Sequence, residues 1–172
     1  SKLKGIKYAA LRYFNAAGYD TEGRITGLER DPQNLLPIVM ETAIGSRKSM
    51  QVYGDNYNTR DGSGIRDYIH VSDLATGHVK AMEYMINQKE NLILNLATGV
   101  GYSVLDVIQS GGQVTGETIS HKVTARRPGD PAQLIAVSKL AKDKIGFECK
   151  YSDIETILES MWNVYNNQKS VC

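Results

Sequence analysis

Short apolar runs alternate along this chain with segments whose apolar residues recur every three to four positions. Ile6 to Phe14 (IKYAALRYF) is the first such run and reads as a buried strand. It breaks at Asn15-Ala16-Ala17-Gly18 into a polar loop reaching about Asp31. From Asn34 to Ile44, Leu35, Ile38, Val39, Thr42 and Ala43 fall along one side and predict a helix stopped by Gly45. Met50 to Tyr53 reads as a brief strand, and a long segment rich in Gly, Asp and Asn follows it. Ser72 is placed to cap a helix from about Asp73 to Ile86, with Leu74, Ala75, His78, Val79, Met82 and Met85 as its apolar stripe.

Leu92 to Ala97 (LILNLA) is the next strand. Ser103 caps the helix after it, with Asp106 completing a weak capping box, and Ser110-Gly111-Gly112 makes that helix look frail. Ile119 to Thr124 reads as a strand, Arg126 to Pro131 as a basic loop, and Ser138 to Ile145 and Ser152 to about Asn166 as closing helices. Strands alternating with helices, without repeat or linker, define an α/β pattern. The alternation begins late, since Lys2 to Ile6 reads as the tail of a preceding connection. Parallel sheets need several neighbouring strands and helices on both faces. The expectation is therefore a fragment, one half of a larger α/β protein. The edge of Ile6–Phe14 would be unpaired, giving low stability or association in isolation.

Composition adds mainly exclusions. The 172 residues suffice for one core, and 41% hydrophobic with 23% charged residues is ordinary for a globular protein. The 20 basic and 19 acidic side chains are interspersed, so no polybasic footprint for nucleic acid or anionic membrane exists. No apolar run approaches the ~20 residues of a membrane span, and Ser1-Lys2-Leu3-Lys4 opens no signal peptide. Cys149 and Cys172 show no metal-ligand spacing, and a reduced, cytoplasmic protein is expected.

Three clusters suit one anionic, polyhydroxylated ligand. Leu11-Arg12-Tyr13-Phe14-Asn15 delivers aromatics and an amide at the carboxyl end of a strand, where open α/β sheets bind ligands. Asn34 and Leu35 stand at a helix N-terminus, whose free N–H groups suit phosphate. Arg66 and Arg127, from distant loops, could clamp a diphosphate, leaving Asp130 to accept from a sugar hydroxyl. Plainer readings stand beside these: Arg66-Asp67 as a surface ion pair, Arg126-Arg127 as a solvated loop, Asn34 as a helix cap, Tyr13 and Phe14 as core.

The histidines offer no catalysis. His70 would pack beside a helix start, His78 would be a satisfied core residue, and His121 lies in a strand without a neighbouring acid. No Ser-His-Asp set or His-x-x-x-His pair occurs. Gly99-Val100-Gly101 imitates a dinucleotide fingerprint, but Val104 occupies the third glycine's place. It reads as a strand-to-helix turn near a pocket. Tyr165 and Lys169 have Tyr-x-x-x-Lys spacing at what reads as a frayed chain end, a chance occurrence.

The stretches LRYFNAAG, NLLP, VYGDNYNTRDGSGIRDYIHVSDLATGH, LNLATGVGYSVLDV, RRPGDPA and KLAKDKIGF, spread over essentially the whole chain, resemble the C-terminal half of UDP-glucose (UDP-galactose) 4-epimerases. These are extended short-chain dehydrogenases/reductases. The resemblance implies the last strands and helices of an NAD-binding Rossmann-type sheet (about 1–16 and 66–100) and a smaller UDP-sugar domain (about 17–65 and 101–172). It implies Tyr13 and Phe14 beside the nicotinamide of NAD, Asn15 and Asn34 at the diphosphate, and Leu35 and Tyr68 among the substrate contacts. By the same resemblance Gln51, Val52 and Tyr53 would meet uracil largely through backbone groups. Arg66 and Arg127 would bind phosphates, Asp130 the ribose, and Leu134 would limit space beside the sugar's 2-substituent. Leucine there leaves acetylated substrates open, and a 4-epimerase of the family acting on UDP-N-acetylhexosamines or uronates is the alternative enzyme. The family's Gly-rich loop and catalytic Tyr-x-x-x-Lys belong upstream of LRYFN, so no catalytic residue is expected here. The implied partners are the missing N-terminal half and a second copy in a homodimer. A non-catalytic nucleotide-sugar-binding module is the rival from another class.

Overall fold

The computed structural model describes residues 5–169. Its elements are β1 (Ala9–Arg12), β2 (Asn15–Ala17), α1 (Leu35–Ala43), β3 (Met50–Tyr53), β4 (Ile65–Arg66), β5 (Tyr68–His70), α2 (Val71–Gln88) and β6 (Leu92–Asn95). Then come β7 (Tyr102–Ser103), α3 (Val104–Thr115), β8 (His121–Thr124), β9 (Gln133–Leu134), α4 (Lys139–Ile145) and α5 (Ile154–Lys169). The expected α/β class is observed. The strands pair across long sequence separations: β1 with β6, β2 with β5 and β3 with β8, all parallel. Central in a three-stranded sheet, β4 is antiparallel to β7 and parallel to β9.

The continuous buried strand expected over Ile6–Phe14 does not form. The chain breaks after Arg12, so β1 follows β6 while β2 crosses to β5. Among the described residues β1 has a hydrogen-bonded neighbour on one side only, and Ile6, Tyr8, Tyr13 and Phe14, which flank it in sequence, are exposed. Of the connection expected before it, Lys2 to Lys4 lie outside the described residues, as does Cys172. The long segment after Tyr53 contains β4 and β5, elements too short to leave a periodic signal.

Two apolar cores hold the molecule. One joins α1, β3, α3 and α5 through Leu36, Val39, Met40, Val52, Val107, Ile157 and Leu158. The other joins β5, α2, β6 and α4 through Ile69, Leu74, Leu94, Leu96, Ala141 and Phe147. The α3 capping box forms as expected, and the helix is not frail. It runs through Ser110-Gly111-Gly112 because α1 lies against it there: a Cβ at Gly111 would stand 2.6 Å from Val39 Cγ1. Tyr165 is not at a frayed end either. α5 continues to Lys169, and the Tyr165 ring is buried edge-on to Tyr19, centroids 6.3 Å apart.

The face of α2 is rotated from the expected stripe. Asp73, Leu74, Gly77 and Ala81 are buried, whereas Ala75, His78, Val79 and Met82 face outward. Small residues allow close packing on Leu96 and Phe147. Asp73 is tolerated because its carboxylate accepts from the N–H groups of Lys150 and Tyr151, both at 2.9 Å, and the Ser152 hydroxyl at 2.5 Å. His78 is thus no core residue; its Nδ1 lies 2.7 Å from Leu74 O and its ring meets Tyr13 edge-on.

The N-cap of α2 is His70 rather than Ser72. Its fully buried ring accepts the Ser72 N–H on Nδ1 at 3.0 Å, which leaves the proton on Nε2, 3.2 Å from Ser160 Oγ. Burial holds its pKa below the ordinary value, with Asp73, Asp153 and Asp20 opposing that shift. A base depressed in the folded state binds its proton preferentially when unfolded, so its contribution is present above about pH 6.5 and lost on acidification. Urea unfolding of the chain should show stability falling below about pH 6.5, and His70→Asn, which keeps a cap acceptor but does not titrate, should flatten that slope.

Candidate functional site

A cleft of about 420 Å³ opens where the end of β1, β2, the N-terminus of α1, β3 and the β8–β9 loop converge. Phe14, Asn15, Asn34, Leu35, Gln51, Tyr53, Arg66, Tyr68, Arg127 and Asp130 all line it, brought from five separate segments. Three sequence candidates stand apart. Tyr13 lines a neighbouring cleft with Arg12, Phe14, Asn95 and Ala136. The Val52 side chain is buried in the core, and Leu134 pairs with Arg66 in the β4–β9 ladder. The lining also includes Gln33, Met50 and Val104, which sequence reasoning did not single out. Only their adjacency to Asn34, Gln51 and Ser103 could have pointed to them.

Asn34 has extended N-cap geometry (φ −83°, ψ 152°), yet its side chain makes no cap hydrogen bond. Its amide therefore stands at the mouth of a helix with no acid in the first turn, an electropositive place suited to an anion. Asn15 donates through Nδ2 to the Asp67 carbonyl at 2.8 Å, which fixes the amide at the start of β2. Tyr68 is buried, and burial raises its hydroxyl pKa against the opposing charge of Arg66. The phenol stays protonated at neutral pH.

Neither arginine behaves as its plainer reading implied. Arg66 makes no pair with Asp67. Its guanidinium donates to Ile65 O at 2.7 Å and to the Asp130 carboxylate, with 15% of the side chain exposed. Asp130 is therefore engaged rather than free. The Arg127 guanidinium lies over the Tyr53 ring, its Cζ 3.8 Å from the centroid, and forms no ion pair among the described residues. One guanidinium is neutralised and one is not, so the cleft keeps net positive character.

Asp67 is 3% exposed and holds the site together. Its carboxylate accepts from Thr98 N–H at 3.2 Å, Thr98 Oγ1 at 2.7 Å, Gly99 N–H at 3.0 Å and Ala136 N–H at 3.4 Å. Its own N–H donates to Leu134 O at 3.0 Å. The Thr98–Gly99 turn that resembled a dinucleotide loop is a donor for this carboxylate. Asp61 has a comparable duty, accepting from Ser63 N–H and the Ser63 and Ser103 hydroxyls. Burial raises its pKa, and those hydrogen bonds outweigh that to leave it lowered.

The lining contains no histidine, cysteine or lysine, and its one carboxylate is paired. No metal-binding cluster exists among the described residues. The arrangement can bind and orient a phosphorylated, hydroxyl-bearing ligand, and it presents no free general base.

A family model described as GDP-mannose 4,6 dehydratase matches residues 2–161, and the chain belongs to this family. Within it, the chain is 48% identical over 160 residues to UDP-glucose 4-epimerase of Halalkalibacterium halodurans, spanning 92% of this chain and 48% of that protein. UDP-glucose 4-epimerase from Brucella ovis in complex with NAD superposes with a TM-score of 0.91 at 43% identity, covering 95% of this chain and 50% of that one. The enzyme from Stenotrophomonas maltophila, with bound NAD and formylated UDP-arabinopyranose, superposes at 0.93 with 35% identity, covering 98% and 50%. The chain spans about half the length of the curated relatives it matches and aligns with their C-terminal half.

Removing the buried Asp67 carboxylate strands several partly buried donors at once. Asp67→Ala should cost about 3 kcal/mol or more of unfolding free energy, and Asp67→Asn, which keeps one acceptor oxygen, about half that. Chemical denaturation of the three proteins measures the order.

Proposed function

We propose that the chain forms the nucleotide-sugar-binding part of a UDP-glucose 4-epimerase, which interconverts UDP-glucose and UDP-galactose. The observation that carries this is the convergence of Arg66, Arg127 and the uncommitted Asn34 amide on one cleft. In this reading Arg66 and Arg127 hold the two phosphates, the first by its remaining N–H donors and the second from its platform on Tyr53. Asn15 and Asn34 complete the diphosphate site. The β3 segment Gln51 to Tyr53 meets the uracil, with Val52 contributing backbone only. Asp130 accepts from the ribose once the ligand has taken its place on Arg66, and Leu134 borders the sugar from behind β4.

The exposed aromatic faces of Tyr13 (42%) and Phe14 (50%) suit the planar nicotinamide of NAD. No Gly-rich phosphate loop stands beside them in this sequence. The chain thus fits one edge of the cofactor, and its main binding falls to a partner segment of N-terminal type. When bound, NAD supplies reversible hydride transfer at C4 of the hexose. The residues of this chain fix the nucleotide end, so the hexose alone retains freedom to present either face. The catalytic tyrosine and lysine belong to the same partner segment, because Tyr165 is buried outside the cleft. By itself the chain is inactive; joined to its other half it works in the cytoplasm as a homodimer.

Calorimetric titration of UDP into the chain should show binding, weakened about tenfold or more by Arg127→Ala, the scale of one charged hydrogen bond. UDP-glucose supplied with NAD should not turn over until the N-terminal half is added. Absence of UDP binding, or an indifferent Arg127→Ala, would sink the cleft assignment. Turnover by the chain alone would sink the division of labour, and none with both halves would leave a binding module.

A further inference from the structure

Arg126 immediately precedes Arg127 yet does not line the cleft. Its guanidinium lies over the face of Tyr57, 3.9 Å from the centroid, and its Nε donates to Asn56 Oδ1 at 2.6 Å. Successive residues of one loop therefore clamp successive tyrosines at the end of β3 and in the segment after it: Arg126 on Tyr57, Arg127 on Tyr53. Between them Gly54, at φ +88°, bonds through its N–H to Thr124 O at 2.9 Å. A Cβ at Gly54 would stand 2.6 Å from Arg126 Cγ and 2.9 Å from Tyr57 Cε2, so the backbone has made room for this stack.

Tyr57 is 7% exposed, and its hydroxyl has no hydrogen-bond partner among the described residues. A phenol kept buried without a partner is retained for its ring, whose face is the surface Arg126 covers. The Arg127–Asp130 loop needs such an anchor. Its backbone is tied at Thr124 to Gly54 and at Ala132 to Ile65 N–H, and no regular element lies between.

We propose that Arg126, stacked on Tyr57 and tethered to Asn56, is a positioning residue that holds the Arg127–Asp130 loop in its binding geometry. The inference rests on the cleft being the UDP site. Arg126 touches no ligand: its flat shape matters, and its charge only through the ring. Removing it lets the loop sample other positions, so Arg127 must be reordered whenever ligand binds.

The test uses UDP with the whole chain and two readouts. Arg126→Lys keeps the charge and loses both the planar stack and the Nε–H donor; it should weaken UDP binding about three- to tenfold. Tyr57→Leu should weaken binding equally, Tyr57→Phe should bind like wild type, and Arg126→Lys combined with Tyr57→Leu should be no weaker than either alone. In ligand-free protein, amide exchange at Arg127, Gly129 and Asp130 should accelerate in Arg126→Lys. Wild-type affinity and exchange in Arg126→Lys, or additive losses in the double variant, would overturn the proposal. If Tyr57→Leu does not fold, Arg126→Lys, altered only in the surface loop, decides. If wild type fails to bind UDP, the cleft assignment falls, and unchanged exchange in Arg126→Lys separately overturns the latch.

Discussion

Asp67 brings a carboxylate into a nearly water-free place, and such a group is tolerable only where donors converge on it. The turn after β6 and the segment after β9 supply them, while the Asp67 backbone reaches β2 through Asn15 and β9 through Leu134. Arg66 and Tyr68, the residues on either side, line the cleft. The geometry of two cleft residues is therefore inherited from one between them that does not line the cleft. Asp73 performs the same kind of service for α2, receiving donors from the segment before α5. Both acids sit at the junctions of segments far apart in sequence, where apolar packing alone would specify distance but not orientation.

Much of the fold was legible because its signals are local. The strand at Met50–Tyr53, the capping box at Ser103 and Asp106, and the helix stop at Gly45 depend on neighbours in sequence. The misreadings share one physical origin, since in each a distant partner decides. Helical periodicity favours the larger apolar residues of α2, whereas its buried face is Asp73, Leu74, Gly77 and Ala81, chosen by what Leu96 and Phe147 permit. Gly111 weakens an isolated helix but lets α1 and α3 close on each other. The site shows the same division. Convergence of Asn34, Arg66 and Arg127 was inferable from residue chemistry, but the Arg66–Asp130 pairing was not, since 64 positions separate them.

The two apolar cores meet along β2 and β5, where Tyr68 packs into one and Ile69 into the other. Alternation along three residues thus couples the layer that carries α2 to the layer that builds the cleft. The cleft lies over this seam with Phe14 at its edge. Phe14 lines both this cleft, with Asn15 and Arg66, and the neighbouring one, with Tyr13, so the exposed aromatic surface just after β1 joins the two.

For the ligand proposed above, the pairing of Arg66 with Asp130 gives the cleft a built-in discrimination. A bare phosphate that takes Arg66 displaces Asp130 and leaves a partly buried carboxylate without a donor. A ligand carrying a diphosphate and a ribose hydroxyl at matched spacing satisfies both partners in the same act. In the proposed UDP site the pair thus favours the joined molecule over a small anion. It costs long-range attraction: with Arg66 neutralised, Arg127 is the main beacon for an approaching anion, so selectivity is gained where steering is given up.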